Sequence, residues 1–516
     1  MSASQYILSI DLGTGGPKVA LVRDDGEIVA SALRSVQTRR IPPAGAEQDP
    51  EEIWDAIRSA AKQVVHAAGK PARAILGVTC ASQFFSIVPI DAAGRPVSNL
   101  ILWMDGRGAP YASEIHRAHP DAFAKWIEIN GMPPLPSGND SLSHMLFLRN
   151  ERPDVYERSE KFVEPMDFVT ARLTGICTAN ACTAFPMLLT DNRRLDAVRY
   201  HEELLGLSGL DREKLPDLVE VGSCVGTLRE DVAREIGLPP GAKVFSGVND
   251  TQAVSIGAGA FREGRGGINI GTTCQVLAHV EAMRTDIENA ILSMPSPLPG
   301  RYAVMAENGL GGKTLEHFLR NVIFSNDALA DHATADPFSD LEQTLRSAPP
   351  GSGGLLYLPW LEGSHSPSAN PRMRGGFLNL SLETTRARMV RAVLEGVTFG
   401  LRWLLPAVER FAGQGFDELS FSGGGAVSDE WSQIVADVMD RPVLQLADAR
   451  YVNNRATAFL AFEKLGVVTP DDIEKLCRIK RRYEPKPENR DMYEKLFQQF
   501  LAAYRQNRPI FEALNA

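Results

Sequence analysis

Ile10-Asp11-Leu12-Gly13-Thr14-Gly15-Gly16-Pro17-Lys18 lies between two apolar runs, Tyr6, Ile7 and Leu8 before it and Val19, Leu21 and Val22 after it. An apolar strand ending in an aspartate, a reversal through glycines and a second apolar strand read as a hairpin. Glycines let the backbone take positive φ and approach an anion closely, while Thr14 and Lys18 add a hydroxyl and a positive charge. Taken alone, the stretch is either a phosphate-gripping turn or an ordinary hairpin, because short glycine motifs recur by chance.

Working outward, Asp24-Asp25-Gly26 predicts a turn into a third strand over 27–36. A helix is expected from Asp49-Pro50, with Ile53, Trp54, Ile57, Ala61, Val64 and Val65 at helical spacing. Strands over 74–79 and 85–90 follow, and the alternation points to an α/β fold. The loop Trp103-Met104-Asp105-Gly106-Arg107 is either one wall of a polar-substrate pocket or a turn with a local ion pair. A Pro-, Gly- and Ser-rich loop over 132–140 and a proline-broken helical region over 141–172 come next. A strand over 243–246 then leads to Gly247-Val248-Asn249-Asp250. A carboxylate at the carboxyl end of a strand faces the ligand crevice of an open α/β sheet, although an isolated Asp more commonly caps a turn or helix.

Ile268-Asn269-Ile270-Gly271-Thr272-Thr273-Cys274-Gln275-Val276 echoes the opening stretch half a chain length later. Two domains of related design, each offering a Gly-Thr hairpin to a shared cleft, are therefore expected. The length of 516 residues also exceeds what one hydrophobic core holds. Gly309-Leu310-Gly311-Gly312-Lys313-Thr314 opens a helix, either as an anion site with free N–H groups or as a glycine-rich start with Lys313 in solvent. The stretch 326–354 reads as a mobile acidic excursion, 355–359 as a short buried strand and 384–410 as a long amphipathic helix. A strand at 419–422, then Gly423-Gly424-Gly425 and a helix around Trp431, is an arrangement that seats a nucleotide against backbone.

A net charge of −10 argues against nucleic acid as the main partner. Six cysteines without a CxxC pair suggest neither a zinc site nor a disulfide framework, and fit reduced thiols in a cytoplasmic protein. Neither a signal-peptide pattern nor an apolar run of membrane-spanning length is expected from the sequence.

Assembled in this order, the motifs resemble the FGGY family of carbohydrate kinases, within the sugar kinase, heat-shock and actin ATPase superfamily, and most nearly its xylulose, pentulose and polyol kinase branch. The resemblance implies two duplicated actin-like, ribonuclease H-like α/β domains around a central cleft, with residues 1–255 carrying the substrate site and first phosphate motif and 256–516 the second phosphate and adenosine motifs. It implies ATP and Mg²⁺ as cofactors, a small sugar or polyol as substrate, and homodimers as a family-level expectation.

By the same resemblance, Asp250 is the catalytic base and Asp11 the magnesium ligand. Gly13, Thr14 and Lys18, then Gly271, Thr272 and Thr273, hold phosphate; Gly311 and Lys313 flank it, and Gly424, Gly425 and Asp429 lie on the adenosine side. Gln83, Phe84, Phe85, Trp103, Asp105, Arg107 and Thr251 would line the substrate pocket. The segment 456–465 would flank adenine and connect the domains, and 391–396 matches the second-domain signature. Departures fall on the sugar side. Xylulose kinases show Gln-Met-His where this chain has Gln83-Phe84-Phe85, glycerol kinases carry Arg and Glu at the last two of these, and Thr251 stands where Asn or Gln is common. His144 replaces an expected lysine and Asn379 a usual glycine. Phe84 and Phe85 are open to two readings, pocket wall or core. The functions implied are phosphorylation of a ketopentose such as xylulose, of another polyol, or of a carbonyl signalling metabolite; an ATP-binding sensor is the alternative outside enzymes.

Overall fold

The computed structural model describes residues 4–70, 74–327, 334, 336–473 and 477–515. The first sheet is built on β1 (Tyr6–Gly13), β2 (Gly16–Arg23), β3 (Ile28–Leu33), β4 (Ile75–Ser82), β5 (Cys224–Thr227) and β6 (Lys243–Phe245), with β7 (Val248–Asn249) also paired to β4. The second contains β8 (Arg265–Ile270), β9 (Thr273–Leu277), β10 (Glu307–Leu310), β11 (Glu418–Ser422), β12 (Val443–Leu446) and β13 (Ile479–Tyr483). Both sheets repeat one pattern. In the order β3-β2-β1-β4-β6-β5 the pairings run antiparallel, antiparallel, parallel, parallel, antiparallel. The order β10-β9-β8-β11-β12-β13 gives the same sequence of senses. Only the outer edge differs, because β5 precedes β6 in the chain whereas β13 follows β12. This is the duplicated α/β plan expected from the resemblance.

Local chemistry sets the elements. Helix α1 (Pro50–Ala68) starts where the Asp49 side chain accepts from Glu51 N–H, and its apolar stripe packs on β2 and β3. The expected helix over 384–410 is α3 (Arg386–Ala412), capped by Thr385 at one end and left-handed Gly413 at the other. The strand expected over 85–90 is shorter, Val88–Ile90, because Phe85 takes φ +56° and ends the extended backbone. Of the excursion over 326–354, residues 328–333 and 335 lie outside the described residues; the rest includes a helix, Leu341–Ser347. Of the six cysteines, Cys80, Cys182, Cys274 and Cys477 are buried, Cys177 is half-buried and Cys224 exposed, all as free thiols.

Separate hydrophobic cores lie under the two sheets, and the segment inserted after β4 forms one of its own around Trp126, Leu142, Phe162 and Phe185. The halves are interlocked. Helix α5 (Val452–Lys464), near the end of the second half, lies on β1, β2 and β4 of the first sheet, where Ala458, Ala461 and Phe462 pack with Ile7, Ala20 and Val22. It also lies along α2 (Asp250–Gly257), within which the expected division at 255/256 falls. A Cβ on Gly257 would sit 2.5 Å from Val452 Cγ1 and 2.7 Å from Val452 O, so the close approach of α2 and α5 requires glycine there.

Replacing Gly257 with alanine should therefore force the two helices apart and cost about 1–3 kcal/mol. Urea unfolding measures it; an unchanged midpoint would contradict the interlock.

Candidate active site

The first hairpin pairs Gly13 with Gly16 across a Thr14-Gly15 turn. Asp11 and Lys18 are directly cross-strand, and Lys18 Nζ lies 2.5 Å from Asp11 Oδ2. Asp11 is 1% exposed, so its charge needs this partner, and Asn453 Nδ2 of α5 donates to the same oxygen at 3.3 Å. Asn454 Nδ2 donates to the carbonyls of Ser9 (3.0 Å) and Lys18 (3.1 Å), stitching α5 to both strands. Reading the sequence missed both asparagines; their only local sign is an Asn-Asn pair opening a helix. Lys18, for which a surface role was equally open, is thus drawn to Asp11 and to Arg450 O at 3.4 Å.

The Thr14 hydroxyl donates to Gln83 Oε1 (2.7 Å) and accepts from Trp103 Nε1 (3.0 Å). Gln48 Nε2 donates to Thr14 O at 2.7 Å, and Gln83 Nε2 donates to Gln48 Oε1 at 3.2 Å. Two residues expected on the sugar side, Gln83 and Trp103, therefore fix the turn of the first hairpin. Phe85 is buried in the inserted segment's core, whereas Phe84 is half-buried between that core and the first sheet's. Phe85 is therefore packing, and Phe84 is the more exposed of the two rings.

The 102–107 loop contains a buried ion pair. Asp105, fully buried, accepts from Ala46 N (2.8 Å) and from Arg107 Nε (3.1 Å to Oδ1), and Arg107 Nη2 also reaches Glu47 at 2.6 Å. Arg107 further lies over the Phe147 ring. These groups brace the loop that carries Trp103. His144 sits beneath it with Nε2 2.9 Å from Asp105 O; a carbonyl only accepts, so Nε2 carries the hydrogen, and burial holds the ring's pKa down.

Asp250 opens α2. Asn249 is the actual cap: its side chain accepts from Gln252 N at 2.8 Å while Gln252 Oε1 accepts from Asn249 N at 3.0 Å. The capping duty that an isolated Asp would perform is taken by its neighbour, so the Asp250 carboxylate does not cap the helix. Burial, and then the nearby Asp11 charge, push its pKa up to about 7, opposed by the Thr251 N–H and by Lys18. Thr251 Oγ1 accepts from Gln275 Nε2 of β9 at 3.1 Å, which carries the site across to the second half. Beside Gln275 stands Glu307, another acid the sequence did not flag, pushed up to about 7 by burial and by Asp250.

The second hairpin turns through Gly271-Thr272, with Thr272 exposed. The anion-site reading of 309–314 needs correction. Gly311 N and Lys313 N donate to Thr272 O (2.9 and 3.4 Å) and Gly312 N to Gly271 O (2.8 Å), so these groups prop the hairpin instead of waiting for a ligand. Lys313 Nζ pairs with Glu316 at 3.1 Å in solvent, and the helix that follows, Gly312–Phe318, is short. The glycine turn after β11 does lie against the second hairpin. Gly423 has φ +87°, and a Cβ there would come 2.5 Å from Ile270 O, whereas Gly424 keeps open room. Asp429 opens α4 (Asp429–Met439) and accepts from Gln445 Nε2 (2.9 Å) and Lys480 Nζ (2.7 Å). Arg391 and Glu395, in the expected second-domain signature, form a buried pair at 2.9 Å that also binds Tyr493 and Ser352.

The donors fit Mg²⁺ with ATP. Among the described residues no three His, Cys, Asp or Glu side chains cluster to cage a metal. Asp11 beside the glycine hairpin suits an ion that keeps its waters and takes most other ligands from phosphate. Among the described residues, too, no helix is long and apolar enough to cross a membrane.

Residues 6–257 match the profile of the N-terminal domain of the FGGY family of carbohydrate kinases, and residues 266–451 that of its C-terminal domain. The chain is similar to a xylulose kinase of Staphylococcus epidermidis, 26% identical over 98% of each chain. It is also similar to an autoinducer-2 kinase of Salmonella choleraesuis, 25% identical over 99% of this chain and 96% of that one. The crystal structure of a gluconate kinase from Lactobacillus acidophilus shares the fold, with a TM-score of 0.83 at 22% identity over 99% of this chain and all of that one.

Asp250 has a stability consequence. Its folded pKa lies above the unfolded value, so the native state binds more protons between about pH 4 and 7 and loses stability as pH rises through that window. Asp250→Asn should be more stable than wild type at pH 7.5 by about 2 kcal/mol, with the gap closing below about pH 4. Denaturant unfolding at both pH values checks this; a less stable variant at pH 7.5 would contradict it.

Proposed function

The chain belongs to the FGGY family of carbohydrate kinases, and from that premise we propose that it transfers the γ-phosphoryl group of ATP to a hydroxyl of a ketopentose, xylulose being the first candidate. The reading is carried by Asp250, a carboxylate released from capping, raised to about 7 and standing beside the Asp11–Lys18 pair. Phosphoryl transfer asks for positioning and charge neutralisation more than covalent chemistry. Asp250 takes the proton of the attacking hydroxyl. The N–H groups of the first turn and the hydroxyls of Thr272 and Thr273 receive phosphate oxygens. Asp11 would hold magnesium, which when bound would neutralise phosphate charge. Exposed Gly424 leaves the adenosine side open beside the second hairpin, while buried Gly425 packs closely on Ile270. Approach of the two halves would shut water out of the transfer. The place of action proposed is the cytoplasm, and assembly into homodimers remains a family expectation.

Phosphorylation of a carbonyl signalling metabolite is the second reading, favoured by Phe84 standing where xylulose kinases carry Met and by the likeness to an autoinducer-2 kinase. A coupled ADP-release screen over ketoses, alditols and their enantiomers with Mg²⁺ separates the readings. Release that depends on a ketopentose is expected; release indifferent to every sugar would favour an ATP-binding sensor.

Two further outcomes follow from the site. With its best substrate, kcat/KM should fall about tenfold per pH unit below pH ~7 as Asp250 takes up its proton; a flat profile between pH 5 and 7 would contradict its role as base. Phe84→Ala should change the ranking among sugars without loss of fold, whereas Phe85→Ala should cost about 3–5 kcal/mol of stability. Unchanged sugar ranking for Phe84→Ala would remove Phe84 from the pocket.

A further inference from the structure

We propose that Glu307 is a specificity-determining residue of this cleft, selecting neutral polyhydroxylated substrates and rejecting sugar acids. This rests on the kinase reading above. Glu307 opens β10, and its backbone is opposite Gln275 of β9. Gln275 in turn reaches Thr251, the residue after Asp250, so Glu307 belongs to the wall that the second half turns toward the reacting end. Its strand is held in place: Ser366 N donates to Glu307 O at 3.0 Å and Asn308 Nδ2 to Ser366 O at 2.7 Å. Burial, and then the Asp250 charge, raise the pKa of Glu307.

The surrounding charges decide what such an acid does. Lys18 lies against Asp11 at 2.5 Å, and Arg107 is turned to Asp105 and Glu47. His365 Nδ1 is 4.0 Å from Glu307 Oε1, and partial burial of this half-exposed ring lowers its pKa, so at neutral pH it is uncharged and does not cancel the carboxylate. Asp11 is matched by Lys18, so the uncompensated negative charge at this end of the cleft is that of Asp250 and Glu307, which their raised pKa values leave partly ionised at neutral pH. A carboxylate-bearing sugar would add another like charge in a partly buried site, where solvent screens poorly. A neutral polyol instead offers O–H donors, and a carboxylate accepting from them forms a charge-assisted hydrogen bond. Chains of this fold include a gluconate kinase, so the fold alone does not choose between the two classes.

The test compares wild type, Glu307→Gln and Glu307→Asp in ADP release with xylulose, ribulose and xylitol against gluconate and xylonate. Wild type should prefer its best neutral substrate over either aldonate by at least about tenfold, Glu307→Gln should shrink that preference about tenfold, and Glu307→Asp should keep it. The KM values should move in opposite directions for the two classes, which loss of packing would not produce. Thermal unfolding verifies the fold of each variant, and Glu307→Ser replaces a glutamine variant that fails to fold. An unchanged ratio on neutralising position 307, or a wild-type preference for an aldonate, overturns the inference and leaves the kinase reading standing. ADP release indifferent to all five compounds overturns both.

Discussion

A buried carboxylate must be neutralised, and most of this architecture can be traced to how that is done for Asp11. Its compensating charge, Lys18, comes from the opposite strand of the same hairpin, which fixes the turn between them. Its further hydrogen bond comes from Asn453, more than four hundred residues away in sequence. The first hairpin is therefore complete only when α5 has returned from the second half to lie on the first sheet. The close approach of α5 to α2 at Gly257 then sets the direction in which α2 presents Asp250. One ion pair, one returning helix and one helix start are mechanically a single unit.

The duplication explains why the second half contributes differently. Its hairpin carries Asn269 where the first has Asp11, two residues before the turn glycine, and the Ser422 hydroxyl donates to Asn269 Oδ1 at 3.2 Å. Its turn is propped from behind by the N–H groups of Gly311, Gly312 and Lys313, while the glycine turn after β11 leans on Ile270. The first half carries the charged chemistry, and the second offers backbone, hydroxyls and the Gln275–Glu307 wall.

Much of this was readable in the sequence where the signal is local. Both hairpins announce themselves as apolar runs broken by Gly and Thr, and α3 is framed by Thr385 and Gly413. Asp250 was visible as a strand-end acid, and Asn249-Asp250-Thr251-Gln252 held the capping box that frees it. What was not legible depends on contacts between distant segments. Nothing local in 452–464 says that the helix belongs to the first sheet. Glu307 looks like one acid in a short strand until Asp250 is placed beside it. The glycines before Lys313 carry a helix-start pattern, but the destination of their N–H groups is a neighbouring hairpin. Phe85 fits an extended pattern by residue type, and only its φ of +56° shows the chain turning.

The central claim is that Asp250, held by α2 between the two hairpins, takes the proton of the attacking hydroxyl. Single-turnover transfer from γ-labelled ATP to the substrate found by screening, compared for wild type and Asp250→Asn at equal nucleotide occupancy, tests it most directly. The account predicts nucleotide binding within about twofold of wild type and transfer slower by about 10²–10⁴-fold. Transfer at near wild-type rates in Asp250→Asn would contradict it.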